Sequence, residues 1–140
     1  MRLETSRGEI LKGIIEGVTY YLLECVELLP PTGIDIKEYR AAGGGSKSDA
    51  WLQMTADILQ RPLVRPTVTE AGALGAAIIA GVGRGVFSCY EAGVEAMVSL
   101  ERTFEPDPQM HTVYARRFVK YKRLWPLMAD YLRDLASDQK

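Results

Sequence analysis

The chain has 140 residues, with 17 basic and 18 acidic side chains, a net charge of -1, 47% hydrophobic and 25% charged residues. That is one domain's worth of ordinary globular composition, which excludes intrinsic disorder and the basic excess of a dedicated nucleic-acid binder. Two cysteines, Cys25 and Cys89, and a single histidine, His111, argue against a disulfide framework, a histidine-based metal centre and a Ser-His-Asp triad, and point to a reducing cytoplasm.

Residues 1–12 alternate charges with single apolar side chains, so nothing there reads as a secretory leader. The first helix is predicted from about Gly8 to Leu29. Ser6-Arg7-Gly8-Glu9 has the form of a capping box, in which the serine hydroxyl accepts an early backbone N–H and the glutamate reaches back. Leu11, Ile15, Val18, Leu22, Cys25 and Leu29 recur at helical spacing, and Ile10, Ile14 and Tyr21 widen the stripe. Glu9, Lys12, Glu16, Glu24 and Glu27 mark the polar side. Gly13 and Gly17 each cost up to about 1 kcal/mol of helix propensity against alanine. Close approach of another backbone would offset that cost.

Pro30-Pro31-Thr32-Gly33 stops the helix. A weak strand, Ile34 to Ala42, then runs into Gly43-Gly44-Gly45. Ser46, Ser48 or Asp49 caps a second helix, about Asp49 to Gln60. Between Pro62 and Pro66 there is room for at most a very short strand. Thr67-Val68-Thr69-Glu70 reads as a second capping box opening a small-residue helix to about Gly83. Its charge-free run, Ala71 to Gly83, has 13 residues. A membrane span needs about 20, so this is a buried helix and the chain is expected to be free of membrane. Gly81 to Gly85 reads as the helix-terminating loop. A helix over Ser88 to Leu100, a break at Pro106 and Pro108, and a last helix from about Gln109 to Ala136, kinked near Pro126, complete the chain. Tyr114, Phe118, Tyr121 and Trp125 form a core stripe on that last helix. Arg116, Arg117, Lys120, Lys122 and Arg123 interleave with it as a solvated basic face, not a nucleic-acid platform. The total is about five helices with one or two short strands. One strand alone is no sheet, so either further strands are present or their partners lie outside this chain.

The stretch with most chemical content is strand, glycines, helix: Ile36 to Ala42, Gly43-Gly44-Gly45-Ser46-Lys47-Ser48-Asp49, then Trp51 onward. Glycines let a ligand approach the backbone, and a helix N-terminus offers unpaired N–H groups. Both suit a nucleotide or another anion, although neither Walker A nor G-x-G-x-x-G spacing is present. The same pattern also serves a flexible, serine-capped turn. His111 reads as a surface residue. Asp57 and Glu70 are candidate carboxylates with ordinary helical readings, one near a helix end and one in a capping box.

Gly43 to Ile58, read as GGGSKSDAWLQMTADI, resembles the adenosine motif of the FGGY carbohydrate kinases. Glu70-Ala71-Gly72-Ala73-Leu74-Gly75-Ala76-Ala77 is similar to the next block of that family, and Ile14-Ile15-Glu16-Gly17 to its preceding helix. Phe104-Glu105-Pro106-Asp107, followed by Tyr114, Tyr121 and Leu124, is similar to its C-terminal tail. Four blocks in order cover nearly the whole chain, with the xylulose-kinase-like branch the nearest.

The resemblance implies an α/β fold: the mainly helical C-terminal fragment of an actin-like, ribonuclease-H-like ATPase domain, with residues 1–140 forming a single partial domain. It implies an ATP-dependent kinase that phosphorylates a ketose or polyol hydroxyl, with ATP or ADP and Mg as cofactors and a sugar as partner. Carried over, Gly43, Gly44 and Gly45 let the nucleotide lie against the backbone, and Ser48 takes the position whose side chain faces the adenine. Gln53 and Asp57 read as supports of the helix. The family's Asp-x-Gly-Thr segment, its Gly-Thr-Ser phosphate loop, its sugar-binding domain and the motif of its catalytic aspartate have no counterpart here. The chain is therefore expected to be an excised domain, a gene fragment or a truncated reading frame, inactive alone, with no catalytic or metal-ligating residue of its own. The alternative is a non-catalytic binding or interaction module derived from such a kinase. The wide stripe of the first helix and the unpaired strand edge predict a homodimer.

Overall fold

The computed structural model describes residues 4–137, in two compact units: 4–34 with 107–137, and Asp35–Pro106. Residues 1–3 and 138–140 of the expected 1–140 domain lie outside the described residues.

The unit built from the chain's two ends is helical. Helix α1, Arg7–Glu27, begins with the predicted capping box: Glu9 N–H donates to Ser6 Oγ at 3.2 Å, and Ser6 N–H donates to Glu9 Oε2 at 2.7 Å. Its buried residues are Glu16, Thr19 and Tyr20, not the apolar stripe. Leu11, Ile14, Val18, Tyr21 and Leu22 are all exposed, as are Cys25 and, in the other unit, Cys89. The cause lies in α5, Pro108–Tyr121, which packs on the face of α1 that carries Tyr20. Tyr20 meets Phe118 and Tyr121 at ring-centroid separations of 5.6 and 5.4 Å. Glu16 accepts from the Tyr20 hydroxyl at 2.7 Å and from Arg117 at 2.8 Å, so its burial is satisfied. Lys122 lies over the Phe118 ring and pairs with Glu27 at 3.2 Å. Two members of the predicted basic face thus close ion pairs within the unit.

The last predicted helix is two helices, α5 and α6, Leu124–Ser137. Pro126 has no N–H to offer the Lys122 carbonyl, and its ring crowds that carbonyl, so the chain breaks at Lys122-Arg123. Pro126 then sits in the first turn of α6, where an N–H would have no helical partner anyway. His111, expected at the surface, is half-buried in α5, and its Nδ1 has no partner among the described residues.

The second unit holds a three-stranded sheet in the order β1-β2-β3: β1 Tyr39–Arg40, β2 Leu63–Pro66 and β3 Leu100–Phe104. Strand β2 is central, parallel to β1 (Tyr39↔Leu63) and antiparallel to β3 (Leu63↔Phe104, Arg65↔Arg102). The strand before the glycines is therefore paired with β2 within this chain, and it stands at one edge of the three-stranded sheet. Strand β3 takes the C-terminal end of what the sequence assigned to a helix, leaving α4 as Tyr90–Met97. Leu100-Glu101-Arg102-Thr103-Phe104 is held by its pairing with β2, and of the strand only Phe104 is buried. Helix α2, Asp49–Leu59, covers the sheet; Leu52, Ala56, Leu63 and Phe104 form the core, flanked by Tyr39 and Ala41. Full burial of a leucine or phenylalanine contributes about 1.5–3 kcal/mol.

Helix α3, Ala71–Gly83, lacks the predicted capping box. Thr67 is used by the sheet instead: its N–H donates to the Ser99 carbonyl and its Oγ1 accepts from Ser99 Oγ, both at 2.9 Å. Only Ile78 of α3 is buried, so the expected buried helix is largely exposed. Its glycine-rich end is a Schellman turn, with Gly85 at φ 73° and Val86 N–H donating to the Gly81 carbonyl at 2.8 Å. Among the described residues no helix is long and apolar enough to cross a membrane.

Candidate functional site

The predicted strand, glycines and helix are brought together in order. Ala41 N–H donates to the Val64 carbonyl, extending the β1–β2 pairing to the edge of the loop. Gly43 then adopts φ 77° and ψ -169°, a conformation that side chains resist. Its N–H donates to the Thr69 carbonyl at 2.8 Å, which ties the loop to the segment before α3. Its carbonyl accepts from the N–H of Ser46 at 3.1 Å and from the Ser46 hydroxyl at 2.6 Å. Ser46 is 2% exposed, so this serine serves the loop and no ligand. Gly44–Lys47 forms one 3-10 turn, whose leading N–H groups have no partner within the turn.

Ser48 is the cap of α2, with its hydroxyl accepting from Trp51 N–H at 3.3 Å. The side chain is exposed and keeps its own O–H proton for a second partner. Gly44 is exposed with open space where a Cβ would stand, whereas a Cβ on Gly45 would meet the Trp51 ring at 3.1 Å. Of the three glycines, Gly43 answers to backbone geometry, Gly45 to the indole, and Gly44 to no constraint within the chain.

Asp49, the first residue of α2, accepts from Arg65 at 2.6 Å and from Arg102 at 2.5 Å. The Arg65 hydrogen bond holds the Asp49 carboxyl below the usual carboxylate range. A carboxylate therefore already occupies the favourable negative position at this helix N-terminus. That charge is compensated by the two arginines, so the helix start carries no net negative charge. The predicted supports also hold: Gln53 Nε2 donates to Asp57 Oδ1 at 2.9 Å and to the Glu105 carbonyl at 2.7 Å. Glu70 caps nothing with its side chain. Among the described residues no group of three or more His, Cys, Asp and Glu is placed to hold a metal ion.

The sequence reading missed Arg65, Glu101 and Arg102. Arg65 donates to Glu101 at 2.7 Å, and both arginines lie over the Phe104 ring, at 5.5 and 4.7 Å. They meet through the pairing of β3 with β2, which no local pattern in the sequence announces.

Comparison with known proteins defines the class. Residues 1–84, more than half of the chain, match the family described as "FGGY family of carbohydrate kinases, C-terminal domain". The xylulose kinase of Staphylococcus epidermidis is 31% identical over 132 residues, which are 94% of this chain and 27% of that protein. An autoinducer-2 kinase of Escherichia coli is 51% identical over 73 residues, 52% of this chain and 14% of that protein. The crystal structure of xylulose kinase from Rhodospirillum rubrum superposes with a TM-score of 0.79 at 27% identity, over 95% of this chain and 27% of that one. The chain belongs to the FGGY family of carbohydrate kinases. Its fold is the mainly helical C-terminal part of their actin-like α/β architecture, and the chain spans 27% of the length of its xylulose kinase relatives.

Proposed function

We propose that this chain is the adenine-nucleotide-binding C-terminal portion of an ATP-dependent carbohydrate kinase of the cytoplasm, which phosphorylates a ketose or polyol hydroxyl. The observation that carries this reading is the loop Gly43–Ser48, with Gly43 in a glycine conformation and open space beside Gly44. In this reading the backbone at Gly43, Gly44 and Gly45 meets the nucleoside, and the Ser48 hydroxyl faces the adenine. Bound MgATP supplies the phosphoryl group and the charge neutralisation its transfer needs. The Mg and phosphate contacts are assigned to the length of the relatives that this chain does not span. Residues 1–140 act as one partial domain and turn over no sugar alone. A titration of the labelled chain with ADP tests the reading. Expected are amide shifts centred on Gly43–Ser48 and a Kd around millimolar, about -4 kcal/mol. Gly44→Val should abolish binding without unfolding the chain, because its branched side chain fills the open space. Micromolar affinity, or shifts centred elsewhere, overturn the assignment.

A second reading, a non-catalytic interaction module, is favoured by the exposed apolar face of α1. In it a second copy of the chain covers that face as a homodimer.

A further inference from the structure

We propose that Arg65 is a positioning residue for the Gly43–Ser48 loop: it fixes the loop's shape from behind and so sets nucleotide affinity without touching the ligand. The proposal rests on the adenine-nucleotide reading of that loop. Arg65 and Arg102 face each other across the β2–β3 pair. Two like charges in that register repel unless anions stand between them. Here Asp49 bridges both, and Glu101 takes the other arm of Arg65. The two arginines are not equivalent. The Arg65 side chain is 12% exposed and that of Arg102 is 55% exposed. Arg65 also reaches the loop backbone, where its Nη1 donates to the Ser46 carbonyl at 3.2 Å. From there the order passes inward. Ser46 holds the Gly43 carbonyl through both its N–H and its hydroxyl, and Gly43 N–H is held by Thr69. Arg65 Nε is buried without an acceptor among the described residues, a cost the fold carries while keeping the guanidinium between α2, the loop and Phe104. One side chain thus holds the loop's middle through Ser46 and its exit through Asp49.

The test uses the full chain, isotopically labelled, with Arg65→Met, Arg65→Lys and Arg102→Met variants. Amide shifts of residues 43–48 report loop shape, and ADP is the ligand probe. Arg65→Met, which keeps the apolar stem over Phe104, should move the loop amides and raise the ADP Kd about tenfold, the scale of one charge-assisted hydrogen bond. Arg65→Lys should recover part of both. Arg102→Met removes an Asp49 partner but no loop contact, and should leave the amides of residues 43–47 in place. Unmoved loop amides in folded Arg65→Met, or equal effects of Arg65→Met and Arg102→Met, overturn the proposal. Arg65→Gln provides the same readouts if the methionine variant does not fold. Absence of ADP binding by the unsubstituted chain sinks the nucleotide reading alone, and the loop amides still decide whether Arg65 holds the loop.

Discussion

The Trp51 indole stands 3.1 Å from where a Cβ on Gly45 would lie, while the corresponding position on Gly44, one residue earlier, is open. Adjacent glycines in one loop therefore answer to different constraints, and alanine at each should separate them. Gly43→Ala forces a side chain into a backbone region, φ 77° and ψ -169°, that is nearly glycine's alone, and should cost about 1–3 kcal/mol. Gly44→Ala removes unfolded-state freedom at no steric cost and should stabilise by about 0.4–1 kcal/mol. At Gly45 that gain is offset by displacing a half-buried indole, so the net change should lie between the other two. Urea unfolding of the three variants gives the order, and a destabilised Gly44→Ala would contradict the open face.

Tyr20 and Glu16 carry a prediction for alkaline pH. Burial first, then the Glu16 carboxylate, raises the Tyr20 phenol far above its usual value near 10. A raised folded-state pKa means the folded protein holds the proton more tightly. The stabilisation is complete below the unfolded value, about 10, and is lost as pH rises above it. Unfolding free energy should therefore fall above about pH 10. That fall should be shallower in Tyr20→Phe. The same variant leaves buried Glu16 with one donor fewer and should cost about 1–3 kcal/mol at neutral pH. Phenolate absorbance followed against pH would show Tyr20 ionising only with unfolding.

Local signals were legible in the sequence where their energetics are local. The Ser6 box, the Ser48 cap and the Gly85 turn each close within a few residues. The Thr67-Val68-Thr69-Glu70 box has the same letters and fails, because Ser99, 32 residues away, takes the Thr67 hydroxyl and backbone. The strand β3 and the Asp49–Arg65–Glu101–Arg102 cluster were illegible for the same reason, since each exists only through pairing with β2 or α2. The loop glycines were visible as a motif, but their separate duties appear only once Trp51 and Thr69 are placed.

This contrast gives a paired test of capping. Ser6→Ala removes a formed cap and should cost about 1 kcal/mol. Thr67→Ala, which removes the hydroxyl the unformed box would use, should loosen the Ser99 contact but not weaken the α3 N-terminus. Helix amide exchange at the first turns of α1 and α3 separates the two. Faster exchange at the α3 start in Thr67→Ala would restore the box.

The stripe of α1 leads to the last prediction. Ile10, Leu11, Ile14, Val18, Tyr21 and Leu22 fall within an arc of about 120° on a helical projection. Glu16, Thr19 and Tyr20, the residues α1 buries, lie on the opposite side. The helix is therefore amphipathic with its apolar face outward, the reverse of what its own unit requires. Gly17, with open space above it, borders that arc and would admit a closely packed backbone. Exposed apolar patches beyond a few hundred Å² are rare on stable monomers, and a closed two-fold dimer is the commonest relief. Sedimentation at micromolar concentration should find the chain self-associated. Ile14→Glu combined with Val18→Glu should yield a monomer with unchanged helix content, since neither side chain is buried within the chain. A stable monomer of the unsubstituted chain that binds no hydrophobic dye would refute the dimer and leave the outward face of α1 without a role in association.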